Sequence, residues 1–126
     1  MELYIGGKGQ GKLFYVCRRL GLKEQEVLEG SVASVEEALA CKAVNHFHLF
    51  IKKVMEEGGD ALEVMERLAK INSNMVIICD EIGCGIVPLE KKERDYREMV
   101  GRTMCLAAKK ADRVVRIVAG LPWQIK

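Results

Sequence analysis

The chain has little excess charge of either sign, no long apolar run, no paired-cysteine unit and very little histidine, and each shortage removes a class of function. Its 20 lysines and arginines stand against 18 aspartates and glutamates, a formal charge of +2 over 126 residues. So small a balance implies no general polyanion-binding field and argues against nucleic acid as a partner. No window approaches the length of a membrane span, and the N-terminus lacks a basic region followed by a long apolar core. No membrane segment is expected, and the chain reads as cytoplasmic. The cysteines, Cys17, Cys41, Cys79, Cys84 and Cys105, are odd in number and mostly embedded in apolar stretches. That suits buried thiols in a reducing compartment better than a disulfide framework. Cys79 and Cys84 are too far apart for a C-x-x-C unit, so structural zinc is not expected. His46 and His48 are the sole histidines, and a metal site built on them needs a third ligand that the local sequence lacks.

What is present is an apolar half, 49% of the residues, enough for one domain over residues 1–126 to bury a core. The informative stretch is the start. Leu3-Tyr4-Ile5 stops abruptly at Gly6-Gly7-Lys8-Gly9-Gln10-Gly11-Lys12-Leu13, which reads as a strand feeding a phosphate-cradling loop. Gly6, four residues, then Gly11-Lys12 fits the P-loop pattern G-x-x-x-x-G-K-[ST] except at its last position, where Leu13 replaces the hydroxyl residue. Glycines let successive amide N–H groups turn toward phosphate oxygens. The helix that starts near Gly11 then adds its unpaired N–H groups and positive dipole end. Lys12 is expected to be an exposed loop lysine that reaches the β- and γ-phosphates. Leu13 supplies no magnesium ligand, so either the ion is held by other groups and by water, or the loop binds phosphate without efficient transfer.

Further along, Phe14 to Leu20 has helical spacing and Gly21 stands where a C-terminal cap belongs. Glu26-Val27-Leu28 is at best a short edge strand. Ser34-Val35-Glu36-Glu37 has capping-box spacing and predicts a helix from Val35 at least to Cys41. Lys42 to Ile51 fits either a short strand turning into a helix or one continuous helix, but the stripe Val44, Phe47, Ile51, Val54, Met55 makes its second half helical. Asp60 caps a further helix. Met75 to Cys79 is the apolar run of a buried parallel strand, with Asp80-Glu81 at its end where a Walker B pair would sit. A Gly-rich loop, 82–88, precedes a long outer helix from Glu90 to Ala111, and Val114 to Ala119 is the last strand, ended by Gly120-Leu121-Pro122. The alternation makes an α/β domain with a mainly parallel sheet, whose ligands bind at the carboxyl ends of the strands. Gly6–Leu13 and Asp80–Gly85 both lie at that end. Separated by two, His46 and His48 share a face only if extended. They are either partly buried or interfacial histidines, or else Asn45 and one histidine line the nucleotide cleft.

These residues resemble a specific family, the bifunctional adenosylcobinamide kinase and adenosylcobinamide-phosphate guanylyltransferases of cobalamin biosynthesis. Asp80-Glu81-Ile82-Gly83-Cys84-Gly85-Ile86-Val87-Pro88 is similar to the family's N-E-V-G-x-G-I-V-P. Tyr96-Arg97-Glu98 with Gly101-Arg102 resembles its F-R-D-x-x-G-R, Val118-Ala119-Gly120-Leu121-Pro122 its V-A-G-L-P, and Gly6-Gly7 with Gly11-Lys12 its G-G-x-x-S-G-K-S. The resemblance covers roughly the first twenty residues and everything from Gly58 onward. Leu13 and Gln10 replace serines, Asp80 replaces asparagine, and Met104-Cys105 replaces N-Q. Asn45-His46-Phe47-His48 occupies the place of D-C-L-T. The interval that carries the family's guanylylated histidine among arginines is short here.

The resemblance implies a P-loop NTPase-like three-layer sandwich that binds ATP or GTP with magnesium, and a corrinoid acceptor. Residues 6–13 (Gly6, Gly7, Lys8, Gly9, Gln10, Gly11, Lys12, Leu13), Asn45 and His46 would hold the nucleotide, Lys12 and Glu81 would be catalytic, and Asp80 and Glu81 would position the metal. Guanylyl transfer is expected to be absent. The family also implies a homo-oligomer, a trimer, for which the apolar end around Trp123 is a candidate contact. Two alternatives stay open: a non-catalytic nucleotide-binding regulatory or assembly relative, and a kinase for another small alcohol.

Overall fold

The computed structural model describes residues 1–83 and 85–126, so the part of the cysteine and glycine-loop expectations that falls on Cys84 lies outside the described residues. A six-stranded sheet runs in the order β2-β3-β4-β1-β5-β6. Its strands are β1 (Glu2–Gly6), β2 (Leu28–Glu29), β3 (Ala43–Asn45), β4 (Val76–Asp80), β5 (Arg113–Val118) and β6 (Leu121–Gln124). All neighbouring pairs are parallel except β5 with β6. The helices are α1 (Lys12–Leu20), α2 (Val35–Ala40), α3 (Phe47–Glu56), α4 (Ala61–Ile71) and α5 (Lys91–Lys110).

Strand alternation sorts the core into two sides. Leu3, Val44, Ile77, Cys79 and Val114 face α2 to α5 and pack with Phe47, Phe50, Met65 and Leu68. Tyr4, Ala43, Ile78, Val115 and Ile117 face the other way and pack with Val16 and Cys17 of α1. The result is the three-layer α/β arrangement of P-loop-like proteins, with β1 in the middle.

Local chemistry sets most boundaries. Gly21 ends α1 in left-handed backbone (φ 67), its N–H bonded to the Cys17 carbonyl. Ser34 and Glu37 form the reciprocal capping box of α2, and Asp60 accepts from the Leu62 and Glu63 amides at the start of α4. α2 stops at Ala40, with Cys41 as its extended C-cap, one residue short of the expected run. The ambiguous stretch after Lys42 resolves as a short strand, a turn at His46 and a helix. The edge strand falls at Leu28–Glu29, after a 3₁₀ turn at Glu24–Glu26. One element differs outright: Ala119-Gly120 is a tight turn rather than an end, and Leu121–Gln124 folds back as β6 against β5. A pattern-breaking proline is tolerated there because β6 is an edge strand. Cys17 and Cys79 are buried thiols as expected, whereas Cys105 is exposed.

Candidate functional site

The carboxyl end of the sheet gathers three stretches distant in sequence. In the register of the two central strands, Gly6 lies beside Asp80, and the Glu81 amide donates to the Gly6 carbonyl at 2.8 Å. The glycine loop leaves β1 at that point. A β-carbon at Gly6 would lie 2.4 Å from the Ile117 carbonyl oxygen of the neighbouring strand, so only glycine lets β1 and β5 approach as they do. Gly11 then takes left-handed backbone (φ 89) as the N-cap of α1, a conformation glycine adopts without steric cost.

Lys12 departs from the expectation of exposure. It is 5% exposed, and its Nζ donates to the Gly7 carbonyl at 2.7 Å and meets Asp80 Oδ1 at 2.7 Å. The lysine is thus folded back under the loop, its charge balanced at the strand end. Asp80 continues the α1-facing side of β4, after Val76 and Ile78, which is why it reaches Lys12.

Glu81, one residue on, points to the other side. Both its oxygens are taken by Arg116 of β5, at 2.7 Å from Nε and 3.1 Å from Nη2. The expected pair of metal-positioning carboxylates is therefore split: Asp80 faces the loop, while Glu81 makes a bidentate ion pair across the sheet and does not line the cleft. The physical reason is the two-residue period of the strand, which cannot send adjacent side chains to one site.

The cleft itself has a volume of about 400 Å3. One wall is Lys8, Gly9, Gln10, Gly11, Lys12, Leu13 and Phe14, and the other is Glu24, Asn45, His46 and Asp80. A larger hollow of about 760 Å3 between α4 and α5 shares no residue with it. Gln10, where a hydroxyl residue is expected, ties two segments together. Its side-chain oxygen accepts from the Ala119 amide at 2.7 Å and its carbonyl from the Gly120 amide at 2.8 Å. The β5–β6 turn is thereby fastened to the loop. Lys8 is exposed on the cleft rim and Leu13 half-buried.

Asn45 ends β3 beside Glu29 of β2. His46 turns the corner in left-handed backbone (φ 52, ψ 47) and caps α3, with Nδ1 2.6 Å from Glu29 Oε1. His48 sits in the first turn of α3, buried, where its Nδ1 accepts from the Asp80 amide at 3.4 Å and its Nε2 lies 3.7 Å from Asp80 Oδ2. Burial lowers the His48 pKa below its ordinary 6.5, partly opposed by the Asp80 carboxylate, and a neutral ring is what the amide hydrogen bond requires. The two imidazoles meet edge to face, their centroids 5.8 Å apart. Asn45 and one histidine, His46, line the cleft, as the second alternative has it, and His48 is buried beneath it.

Sequence reasoning does not single out the contacts of His48, Glu29 and Arg116. The last left a signal, a charged residue inside the apolar run of β5. Glu29 left none, because its place beside Asn45 depends on a two-residue edge strand.

The site can offer an anion a lysine, a glycine loop and a helix start, with one carboxylate on the floor. Among the described residues no group of three or more His, Cys, Asp or Glu side chains could hold a metal ion unaided, and no helix is long and apolar enough to cross a membrane. The bifunctional adenosylcobalamin biosynthesis protein CobP of Pseudomonas aeruginosa is 27% identical over 111 residues, covering 83% of this chain and 64% of its own length. The chain thus spans a little under two thirds of that relative. The family model described as cobinamide kinase / cobinamide phosphate guanyltransferase matches residues 23–125; it leaves the glycine loop outside but includes the middle segment with both histidines. With most of its length matched, from the 3₁₀ turn to the end of the β5–β6 hairpin, the chain belongs to the cobinamide kinase / cobinamide phosphate guanyltransferase family.

Proposed function

We propose that residues 1–126 form one nucleotide-binding domain that holds ATP or GTP in the loop–β3 cleft and passes the γ-phosphoryl group to an alcohol, a corrinoid of the cobinamide type. The observation that carries this reading is the Lys12–Asp80 contact of 2.7 Å at the floor of the glycine loop. It holds a cation beneath the loop whose backbone would cradle the phosphates. On nucleotide binding the ammonium would exchange Asp80 and the Gly7 carbonyl for phosphate oxygens, and charge developing on the transferred group would be stabilised there.

Magnesium fits this donor set as an ion that arrives with the nucleotide. Mg²⁺ keeps several waters and takes one or two carboxylates beside phosphate oxygens. Asp80 supplies such a carboxylate. Leu13 supplies nothing, and Glu81 is committed to Arg116.

Guanylyl transfer through a covalent histidine is not part of this proposal, because the interval that would carry an arginine-flanked histidine is short. A kinase for a different small alcohol shares the same cleft. The reading as a non-catalytic nucleotide-binding relative is favoured by Leu13, which removes the hydroxyl that holds the ion in P-loop enzymes.

Calorimetric titration with ATP and GTP, with and without magnesium, followed by transfer from γ-labelled nucleotide to adenosylcobinamide, separates these readings. Binding with transfer supports the kinase, and binding without transfer supports the inactive relative. No binding by either nucleotide removes both.

A further inference from the structure

We propose that His46 is the general base of the transfer, taking the proton of the acceptor hydroxyl, and that Glu29 is the residue that positions it. This rests on the phosphoryl-transfer reading of the cleft. His46 lines the same cleft as Lys12 and Asp80, and its imidazole is 41% exposed, open to a bound molecule on one side and anchored on the other.

The anchor is specific. Glu29 Oε2 accepts from the Ser31 amide at 2.9 Å and from the Ser31 hydroxyl, which leaves Oε1 for His46 Nδ1 at 2.6 Å. Burial pushes the Glu29 carboxyl up, but the hydrogen bonds from Ser31 and His46 outweigh it and hold the carboxyl below 4.5. A carboxylate only accepts, so Nδ1 carries a proton, and in the neutral ring it is Nε2 that holds the lone pair facing away from Glu29. The same device fixes the tautomer of histidines that serve as bases or ligands.

The backbone supports the arrangement. His46 adopts left-handed geometry (φ 52) at the strand–helix corner, a conformation unusual for a side-chain-bearing residue and concentrated at functional sites. Gly30 lets the chain after Glu29 seat beneath that corner, since a β-carbon there would lie 2.6 Å from the His46 carbonyl oxygen.

The competing bases are committed elsewhere. Asp80 is paired with Lys12 and, once that ammonium turns to the phosphates, would be taken up by the magnesium ion; Glu81 is held by Arg116, and His48 Nδ1 by the Asp80 amide. Glu24 stands exposed at the rim of the cleft, where among the described residues no hydrogen-bonded partner orients its carboxylate. The groups around His46 are thus Glu29 from β2, His48 from its own helix, and Lys8, Lys12, Glu24 and Asp80 around the cleft.

In the transfer, Nε2 takes the hydroxyl proton as the acceptor oxygen forms its bond to the γ-phosphorus. The bond from that phosphorus to the β,γ-bridging oxygen breaks, and its electron pair leaves with the nucleoside diphosphate. The imidazolium, with Nδ1–H still held by the Glu29 carboxylate, then releases its proton to water.

The test uses His46→Gln, His46→Ala and Glu29→Gln, with transfer from γ-labelled ATP or GTP to adenosylcobinamide and nucleotide affinity by calorimetry. His46→Gln should lower kcat on the order of 10²-fold or more, with nucleotide Kd within about twofold of the parent. Glu29→Gln should lower kcat about tenfold at unchanged Kd, and added imidazole should restore part of the turnover of His46→Ala. An unchanged kcat in His46→Gln overturns the proposal, as does a loss of affinity without a loss of kcat, or a failure of imidazole to rescue. So does a stable nucleotidyl or phosphoryl label on His46, which would make it a nucleophile. A parent that binds nucleotide yet transfers nothing removes the phosphotransfer reading and the proposal with it.

Discussion

At the scale of single residues, the decisive one is Lys12. Its motif position is legible in the sequence, but its burial is not, because burial comes from Asp80 of a strand sixty-eight positions away that happens to end beside Gly6. Removal of the lysine should therefore cost stability as well as affinity. Lys12→Ala leaves Asp80, 13% exposed, without its cation, and breaking such a pair costs about 3 kcal/mol. Urea unfolding should show that loss, and Lys12→Ala combined with Asp80→Asn should recover part of it. Nucleotide affinity should stay weak in both, by roughly tenfold or more, since no charge replaces the ammonium.

Another residue-scale expectation concerns acid. Burial depresses the His48 pKa below 6.5, so the unfolded chain binds that proton more readily than the folded one. The stability is present above pH 6.5 and drains away as pH falls from there toward the folded value. Glu2 and Glu29, both held below 4.5, act in a separate and lower window. Urea midpoints measured between pH 7.5 and about 5 should decline for the parent, and the decline should flatten in His48→Gln. An equal slope in both proteins would assign the loss to other groups.

At the scale of elements, the alternation of strands and helices was legible because each long element carried its own period and caps. Asp60, Ser34 with Glu37, and Gly21 mark real helix ends. β3 has three residues and β2 two, too few for a period, so their existence rests on pairing with the neighbouring strand. The β5–β6 hairpin escaped for a different reason: Gly120-Leu121-Pro122 has the composition of a terminus, and Gln10, which accepts the hydrogen bonds donated by the Ala119 and Gly120 amides of the turn, lies at the other end of the chain. In the candidate site, the loop and Asp80 could be read, while Glu81 could not be separated from Asp80 without knowing which way the strand faced.

Gly6 tests the close approach of elements at this site. Gly6→Ala must move either the Ile117 backbone or β1, because the added carbon would sit 2.4 Å from a carbonyl oxygen. A destabilisation of about 3 kcal/mol is expected, with amide exchange accelerated in β1 and β5. Gly9→Ala, where no neighbour lies within 4 Å but φ is +73, should cost about 1 kcal/mol from backbone strain alone. If the two variants were equally stable, the packing argument for Gly6 would be wrong.

At the scale of the whole molecule, β6 is an unfinished edge. It pairs with β5 on one side only, and Leu121 and Trp123 are 70% and 62% exposed, with Val118 and Ile125 exposed nearby. An edge strand that carries apolar side chains and few charges is a template for contact with another chain. Tryptophan is also among the residues that dominate contact energies. The hairpin is fastened to the glycine loop through Gln10, so a partner seated on β6 would lie within reach of the candidate cleft. The expected outcome is self-association: light scattering should give a mass above the 14.1 kDa of one chain, a trimer being the state implied by the family resemblance. Trp123→Glu should shift the population to monomer. Because Trp123 packs little against its own chain, the same change should move the stability of the isolated subunit by no more than about 0.5 kcal/mol. A parent that remains monomeric at high concentration would leave β6 as an ordinary edge and confine the function to the single subunit.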